Sequence, residues 1–228
     1  MAAQPSVTGC ASLHEADAAT IPAADVVPGW TFVSTIVPFG LPGLSSGRVH
    51  TDVLEHSLAV FAGGRTADGW TEIATGGRMR WTVDSSFAVG VRCEGAMQWF
   101  RDFGSFGTMR VSAHVLSRND PWLLGAAIDD LVVAGLPGTP FVRCGVGRDL
   151  VDVMIAADLV MGAGRELGIL VTAEHRTPSI HIAGSLCTAP FTVRLATRIV
   201  NVSGVDVALA IRFVEGLGIA PDLAVILP

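Results

Sequence analysis

Polar and apolar residues alternate with period two along most of this chain, most cleanly over residues 191–214. Phe191, Val193, Leu195 and Ile199 share one phase, while Thr192, Arg194, Ala196 and Arg198 share the other. After Asn201-Val202-Ser203-Gly204 the pattern resumes, with Val205, Val207, Leu209, Ile211 and Phe213 set against Asp206, Ala208, Ala210 and Arg212. Alternation of this kind, rich in β-branched residues, describes strands with one face in the core and one in solvent. A three-residue turn at 202–204, closed by Gly204 in the left-handed conformation, pairs Ile199 with Val207, Leu195 with Ile211 and Val193 with Phe213. Both apolar faces coincide in that register, and a slip of one residue would divide them. It also sets Arg194 across from Arg212, with Arg198 nearby, and opposed like charges need an acid between them. A local carboxylate or water is the commoner answer. The sharper one is an acid on another subunit or an anionic ligand, which makes Arg194, Arg198 and Arg212 the candidate interface residues.

The same pattern predicts strands at 30–37, 87–93, 108–116, 122–133, 151–161, 167–175 and 179–186, and a hairpin over 70–83 that turns at Gly76-Gly77. Residues 51–62 fit a helix slightly better than a strand. Asp52 and Glu55 form a capping box, Leu54, Leu58 and Phe61 a stripe, and Gly63 a stop. Trp99, Phe100, Phe103 and Phe106, in the connection 96–106, read as a core plug. Roughly ten strands with short Gly, Pro and Asp turns, and no alternation with long helices, predict an all-β fold. The expected form is an antiparallel two-sheet β-sandwich, jelly-roll-like, with at most one or two short helices. Residues 1–29 lack periodicity and read as an extended N-terminal arm ahead of a single sandwich domain, 30–228.

Composition changes this picture in one respect. Hydrophobic residues make up 50% of the chain and charged residues 16%, with mean hydropathy +0.52 and neither Lys nor Tyr. Ordinary soluble domains are about a quarter charged. So little ionic character implies an exterior covered by something other than water. No apolar run reaches the ~18 residues of a spanning helix. A membrane barrel should carry aromatic girdles and a polar lumen phase; the lack of Tyr, and apolar phases taken as facing inward, argue against one. No basic residue precedes an apolar run at the N-terminus, so no secretory signal is visible. Burial against other protein chains is the remaining expectation. The net charge of −6, without a basic arm, argues against direct nucleic-acid binding. Cys10, Cys93, Cys144 and Cys187 have no CxxC spacing and read as buried reduced thiols in an intracellular setting.

Candidate chemistry is thin. Residues 43–47 fit GxSxG, but a nucleophile elbow needs a strand before it and a helix after it in a parallel sheet, and a loop is expected instead. His50 and His56, with Asp52 and Glu55 between them and His175 and His181 elsewhere, could ligate a metal in a cupin-like barrel, yet the usual HxH spacing is absent. His114 shares its phase with Arg110 and Ser112 and is expected on a solvated strand face. Glu94, Asp102, Asp129, Asp130 and Glu174 show no spacing that brings two carboxylates together. Cys144 stands near Arg143 and Arg148, and Gly145-Val146-Gly147 lacks the third glycine of a dinucleotide loop. No catalytic, cofactor-binding or metal-binding set emerges, and no cofactor is called for. The sequence reading is therefore a structural subunit without enzymatic activity. It assembles with copies of itself or other shell subunits, as in a viral capsid or its protrusions. It belongs in a virion or the cytoplasm, without membrane, nucleic-acid or small-molecule partners. The competing expectations are a cupin-like metal-dependent enzyme and a sandwich that binds a small ligand or glycan.

Overall fold

The structure, a computed structural model, describes residues 5–11, 23, 29–35, 44–54, 57–162, 166–202 and 204–227. Fourteen strands run through them: β1 (Trp30–Thr35), β2 (Ser45–Leu54), β3 (Leu58–Ala67), β4 (Trp70–Asp84), β5 (Phe87–Phe100), β6 (Gly104–Asn119) and β7 (Trp122–Gly135). There follow β8 (Phe141–Leu150), β9 (Val153–Gly162), β10 (Leu167–Arg176), β11 (Ile180–Thr188), β12 (Phe191–Val202), β13 (Val205–Val214) and β14 (Gly218–Leu227). Each pairs antiparallel with its sequence neighbours, and β1 pairs with β14, Trp30 opposite Leu227 and Thr35 opposite Asp222. The sheet is a closed barrel, which leaves no edge strand to protect. That closure overturns the two-sheet sandwich and its jelly-roll topology. Alternating strands with short turns build either fold, and the sequence pattern does not count how the sheet ends.

Which phase faces inward is the second correction. Along β9 the exposed residues are Val153, Ile155, Leu159 and Met161, while Met154, Ala156, Asp158 and Val160 are buried. On β12 and β13 the exposed set is Leu195, Ile199, Leu209, Ile211 and Phe213, and Arg194 is buried at 5% exposure. The predicted register of this hairpin is observed, with Val193 opposite Phe213, Leu195 opposite Ile211 and Ile199 opposite Val207, before an irregularity brings Val202 opposite Val205. Its apolar face, however, is the outside of the barrel, and its arginine face is the inside. The two phases of a strand are geometrically equivalent; only the medium on each side distinguishes them.

Other expectations fail locally. Residues 51–54 and 58–62 are strand, not helix, and Glu55 and His56 lie outside the described residues. Gly76-Gly77 sits in the middle of the fifteen-residue strand β4 rather than at a turn. A Cβ on Gly76 would lie 2.2 Å from the Cys93 carbonyl oxygen and 2.6 Å from Phe61 Cζ, so this glycine makes room for a side chain lying flat on the wall. Residues 96–106 are the end of β5, a turn and the start of β6, and Trp99, Phe103 and Phe106 point outward at 42%, 80% and 38% exposure. The strands β8 and β14 were not predicted at all, and β2 and β3 only in part, as the alternative to a helix over 51–62.

Candidate functional site: the barrel lumen

Small and charged residues line the inner wall. Ala59, Ala74, Ala88, Ala96, Ala127 and Ala156 are buried beside Glu72, Arg78, Arg92, Glu94, Asp129 and Arg143. The small side chains leave space in which the long ones lie against the wall. Charge is thus concentrated where a globular protein would keep its oil.

Two neighbourhoods divide this interior. The first is centred on Glu94 of β5, 3% exposed, which accepts from Arg48 (3.2 Å) on β2, from Arg110 (3.3 Å) on β6 and from Arg92 on its own strand. Arg110 stands directly opposite Glu94 in the ladder. Arg48 reaches across β3 and β4, and the floor beneath it is glycine: a Cβ on Gly63 would come within 3.1 Å of Arg48 Cβ. The Phe61 ring is approached by the guanidiniums of Arg48 and Arg92 at 5.1 and 5.3 Å, with the His50 ring 5.4 Å away. Next to this group Glu72 accepts from Arg65 (2.6 and 2.9 Å) and from Gln98 (2.7 Å). Low dielectric strengthens such charge-assisted bonds and makes their loss costly.

In the second neighbourhood the wall bonds to the chain's own residues 5–11, which lie inside the barrel with Ser6, Val7 and Cys10 at 0% exposure. Near the middle of β9, Asp158 accepts Ser6 Oγ on one oxygen (2.6 Å) and the Val7 amide on the other (2.8 Å). Glu174 of β10 accepts the Ala11 amide (3.1 Å). Arg143 of β8 donates to Asp129 (2.8 Å) and to the Pro5 carbonyl (3.0 Å), and Arg194 of β12 donates to the Ala11 carbonyl (3.3 Å). His114 of β6 bridges the Val7 carbonyl at Nε2 (2.7 Å) and the Ala23 amide at Nδ1 (3.0 Å). One tautomer satisfies both contacts, Nε2–H donating and Nδ1 accepting. The segment itself turns sharply: Gly9 N donates to the Ser6 carbonyl (2.9 Å), Ser6 N to the Cys10 carbonyl (3.0 Å), and Gly9 has φ 90°.

The sequence-predicted residues fall as follows. Arg194, Arg198 and Arg212 all face the lumen. Arg194 and Arg212 oppose each other as expected; Arg198 pairs with Asp206 (3.0 Å at Nε) and Arg212 with Asp222 (3.8 Å), both acids of the same chain. The histidines do not converge. His50 is buried against Phe61, His175 is exposed on the outer phase, His181 stands 3.9 Å from Glu174, and His56 lies outside the described residues. Among the described residues no cluster of three metal-ligating side chains exists, so the cupin-like centre has no geometry behind it. His114 is buried at 1% exposure rather than solvated. Cys93 and Cys144 are exposed on the outer wall, whereas Cys10 and Cys187 are buried, and all four are free. Sequence reasoning placed Asp158 on the polar phase of its strand without assigning it a partner, and read 5–11 only as part of an extended arm over 1–29, not as a segment inside the barrel.

The outer wall carries Leu, Ile, Val, Met and Phe around the whole circumference, from Phe32 and Ile73 through Leu124 and Ile155 to Leu195 and Ile219. Trp30, Trp81 and Trp122 stand near one rim, and Trp99, Phe106, Phe191 and Phe213 near the other. Exposed aromatic residues thus stand near both rims without any Tyr, and a polar lumen phase is present; the grounds for excluding a membrane are removed.

No protein-family model and no curated protein sequence matches this chain. Solved structures do. The outer membrane protein Omp33 of Acinetobacter baumannii aligns with TM-score 0.56 at 7% identity, over 87% of this chain and 96% of that one. A TodX deletion mutant, described as a monoaromatic hydrocarbon channel, aligns with TM-score 0.56 at 8% identity, over 94% and 92%. At such identities the likeness is one of fold. Together with the closed barrel it overturns the capsid or shell-subunit reading, along with its shell partners, its virion or cytoplasmic setting and its exclusion of a membrane. The chain is a fourteen-stranded antiparallel barrel similar in fold to the outer membrane protein Omp33 and to the TodX channel.

Proposed function

We propose that this chain spans a membrane as an outer-membrane-type barrel and forms a channel for small polar solutes, without catalysis. The observation that carries the reading is the sorting of side chains in a closed sheet, oil outside and charge inside. In water that arrangement would be strongly disfavoured, since each exposed Leu, Ile or Phe forfeits about 1.5–3 kcal/mol of burial; in lipid it is the favoured one. The dimensions agree. A ten-residue strand, rising about 3.3 Å per residue at a tilt of about 40°, spans about 25 Å, the height of an apolar band. Fourteen strands about 4.8 Å apart close at a backbone radius of about 14 Å, wide enough for a lumen. Arg and Glu on the inner wall favour water-soluble, charged or hydrogen-bonding cargo over hydrocarbon.

Reconstitution tests this. The chain, refolded from detergent into phospholipid vesicles, should co-float with lipid and retain a strand spectrum. In a planar bilayer it should give discrete conductance steps, larger for Asp158→Ala than for the wild type. Protein that remains monomeric and soluble without detergent, or bilayers that stay sealed with both proteins, would overturn the reading.

A further inference from the structure

The wall that faces residues 5–11 is built for a peptide. Asp158 and Glu174 accept its amides and Ser6 hydroxyl; Arg143, Arg194 and His114 donate to its carbonyls. Those are contacts to main chain almost throughout, so they read a backbone rather than particular side chains. The wall is also hollowed at the same place. A Cβ on Gly125 of β7 would lie 2.7 Å from the Val7 carbonyl oxygen, and one on Gly147 of β8 would lie 2.9 Å from Thr8 Oγ1. Neither glycine has a backbone that demands glycine, since neither has a positive φ; what each supplies is room. Carboxylates, guanidiniums, an imidazole and two dents converge from β6 to β12 on seven residues that have their own sharp turn.

We propose that this stretch of the lumen is a binding site for short, uncharged, turn-forming peptides, filled in cis by residues 5–11. The segment and an incoming peptide compete for the same acceptors and donors. Departure of the segment widens the lumen, and a peptide of the same sequence closes it again. The site's role in conduction rests on the channel reading; its ability to bind peptide does not.

The test uses the full chain in detergent micelles and a synthetic peptide, Pro-Ser-Val-Thr-Gly-Cys-Ala, with acetylated and amidated ends and with reductant present. A Ser6→Ala/Gly9→Val variant removes the hydroxyl bonded to Asp158 and strains the turn at its φ of 90°, leaving the wall untouched. By calorimetry this variant should bind one peptide per barrel, at least about tenfold more tightly than the wild type, in which the tethered segment competes. Adding Asp158→Ala should weaken that binding by about tenfold. A scrambled peptide that moves the glycine out of the turn position should bind at least about tenfold more weakly, because it cannot make the turn at φ 90°. In bilayers the variant should conduct more than the wild type, and the peptide should reduce its conductance. Equal peptide affinity for variant and wild type, or equal binding of the scrambled peptide, overturns the site. Conductance without peptide binding sinks the site and spares the channel; peptide binding with sealed bilayers sinks the channel and spares the site. If the double variant lacks the wild-type strand spectrum, Ser6→Ala alone replaces it, with a gain of about threefold expected.

Discussion

The two charged neighbourhoods of the lumen are made of the same residue types and solve the same problem differently. Around Glu94 the wall supplies its own counter-groups: three guanidiniums from β2, β5 and β6 share one carboxylate, and an aromatic ring fills the gap between two of them. Around Asp158 the wall is completed by a piece of chain outside the sheet, whose amides and carbonyls serve as counter-groups. The first is part of the barrel's stability. The second is separable from it, because the bonds that would break do not hold strand to strand.

Removing the hub of the first neighbourhood should have the largest effect. Glu94→Ala leaves Arg48, Arg92 and Arg110 crowded and without their shared acceptor, which costs about 3–5 kcal/mol. Urea unfolding in micelles should show a midpoint well below wild type, and the lumen should turn more anion-selective in bilayers. Residues 5–11 should remain protected from added protease. Their release in this variant would mean that the neighbourhoods are coupled.

Asp158→Ala should cost less, about 1–3 kcal/mol, because the bonds lost are those to Ser6 and Val7 and the freed groups can reach water. Its signature lies elsewhere. Amide exchange at residues 6–11 should accelerate by orders of magnitude while the amides of β9 and β10 keep their protection. Uniform acceleration through the strands would show that the segment is structural cement.

Much of this architecture was legible in the sequence, and what was not has physical causes. The period of two marked most strands, and the pairing of β12 with β13 was correct because only one register aligns both apolar phases. The direction of those phases was not legible from any single strand. The clue lay in the other phase, where Arg194, Arg198, Asp206 and Arg212 alternate with Ala196, Ala208 and Ala210: charge interleaved with small residues suits a crowded concave wall, not an open solvated face. Gly76-Gly77 was misread as a turn because glycine that makes room and glycine that bends look identical in sequence. The strand β8 was missed for the same reason, its Gly145 and Gly147 looking like a loop. The seat for residues 5–11 had no local signal, since its parts come from strands as far apart as β6 and β12.

That ambiguity of glycine supplies the finest discrimination between the two neighbourhoods, since one substitution can be made in each. Gly76→Ala puts a methyl group 2.2 Å from a wall carbonyl and 2.6 Å from the Phe61 ring; strands or ring must shift, at about 1–3 kcal/mol. Gly125→Ala puts its methyl 2.7–2.9 Å from Val7 alone, with no wall atom among its nearest neighbours. The barrel should then unfold within about 0.5 kcal/mol of wild type, since a strand interior gains slightly from losing a glycine. Residues 5–11 should nonetheless become accessible: the Cys10 thiol, buried in the wild type, should react with a water-soluble maleimide, measured by mass with Cys93, Cys144 and Cys187 replaced by Ser. A Cys10 that stays unreactive in Gly125→Ala and turns reactive in Gly76→Ala would reverse the assignment, making the segment a dependant of the Glu94 neighbourhood.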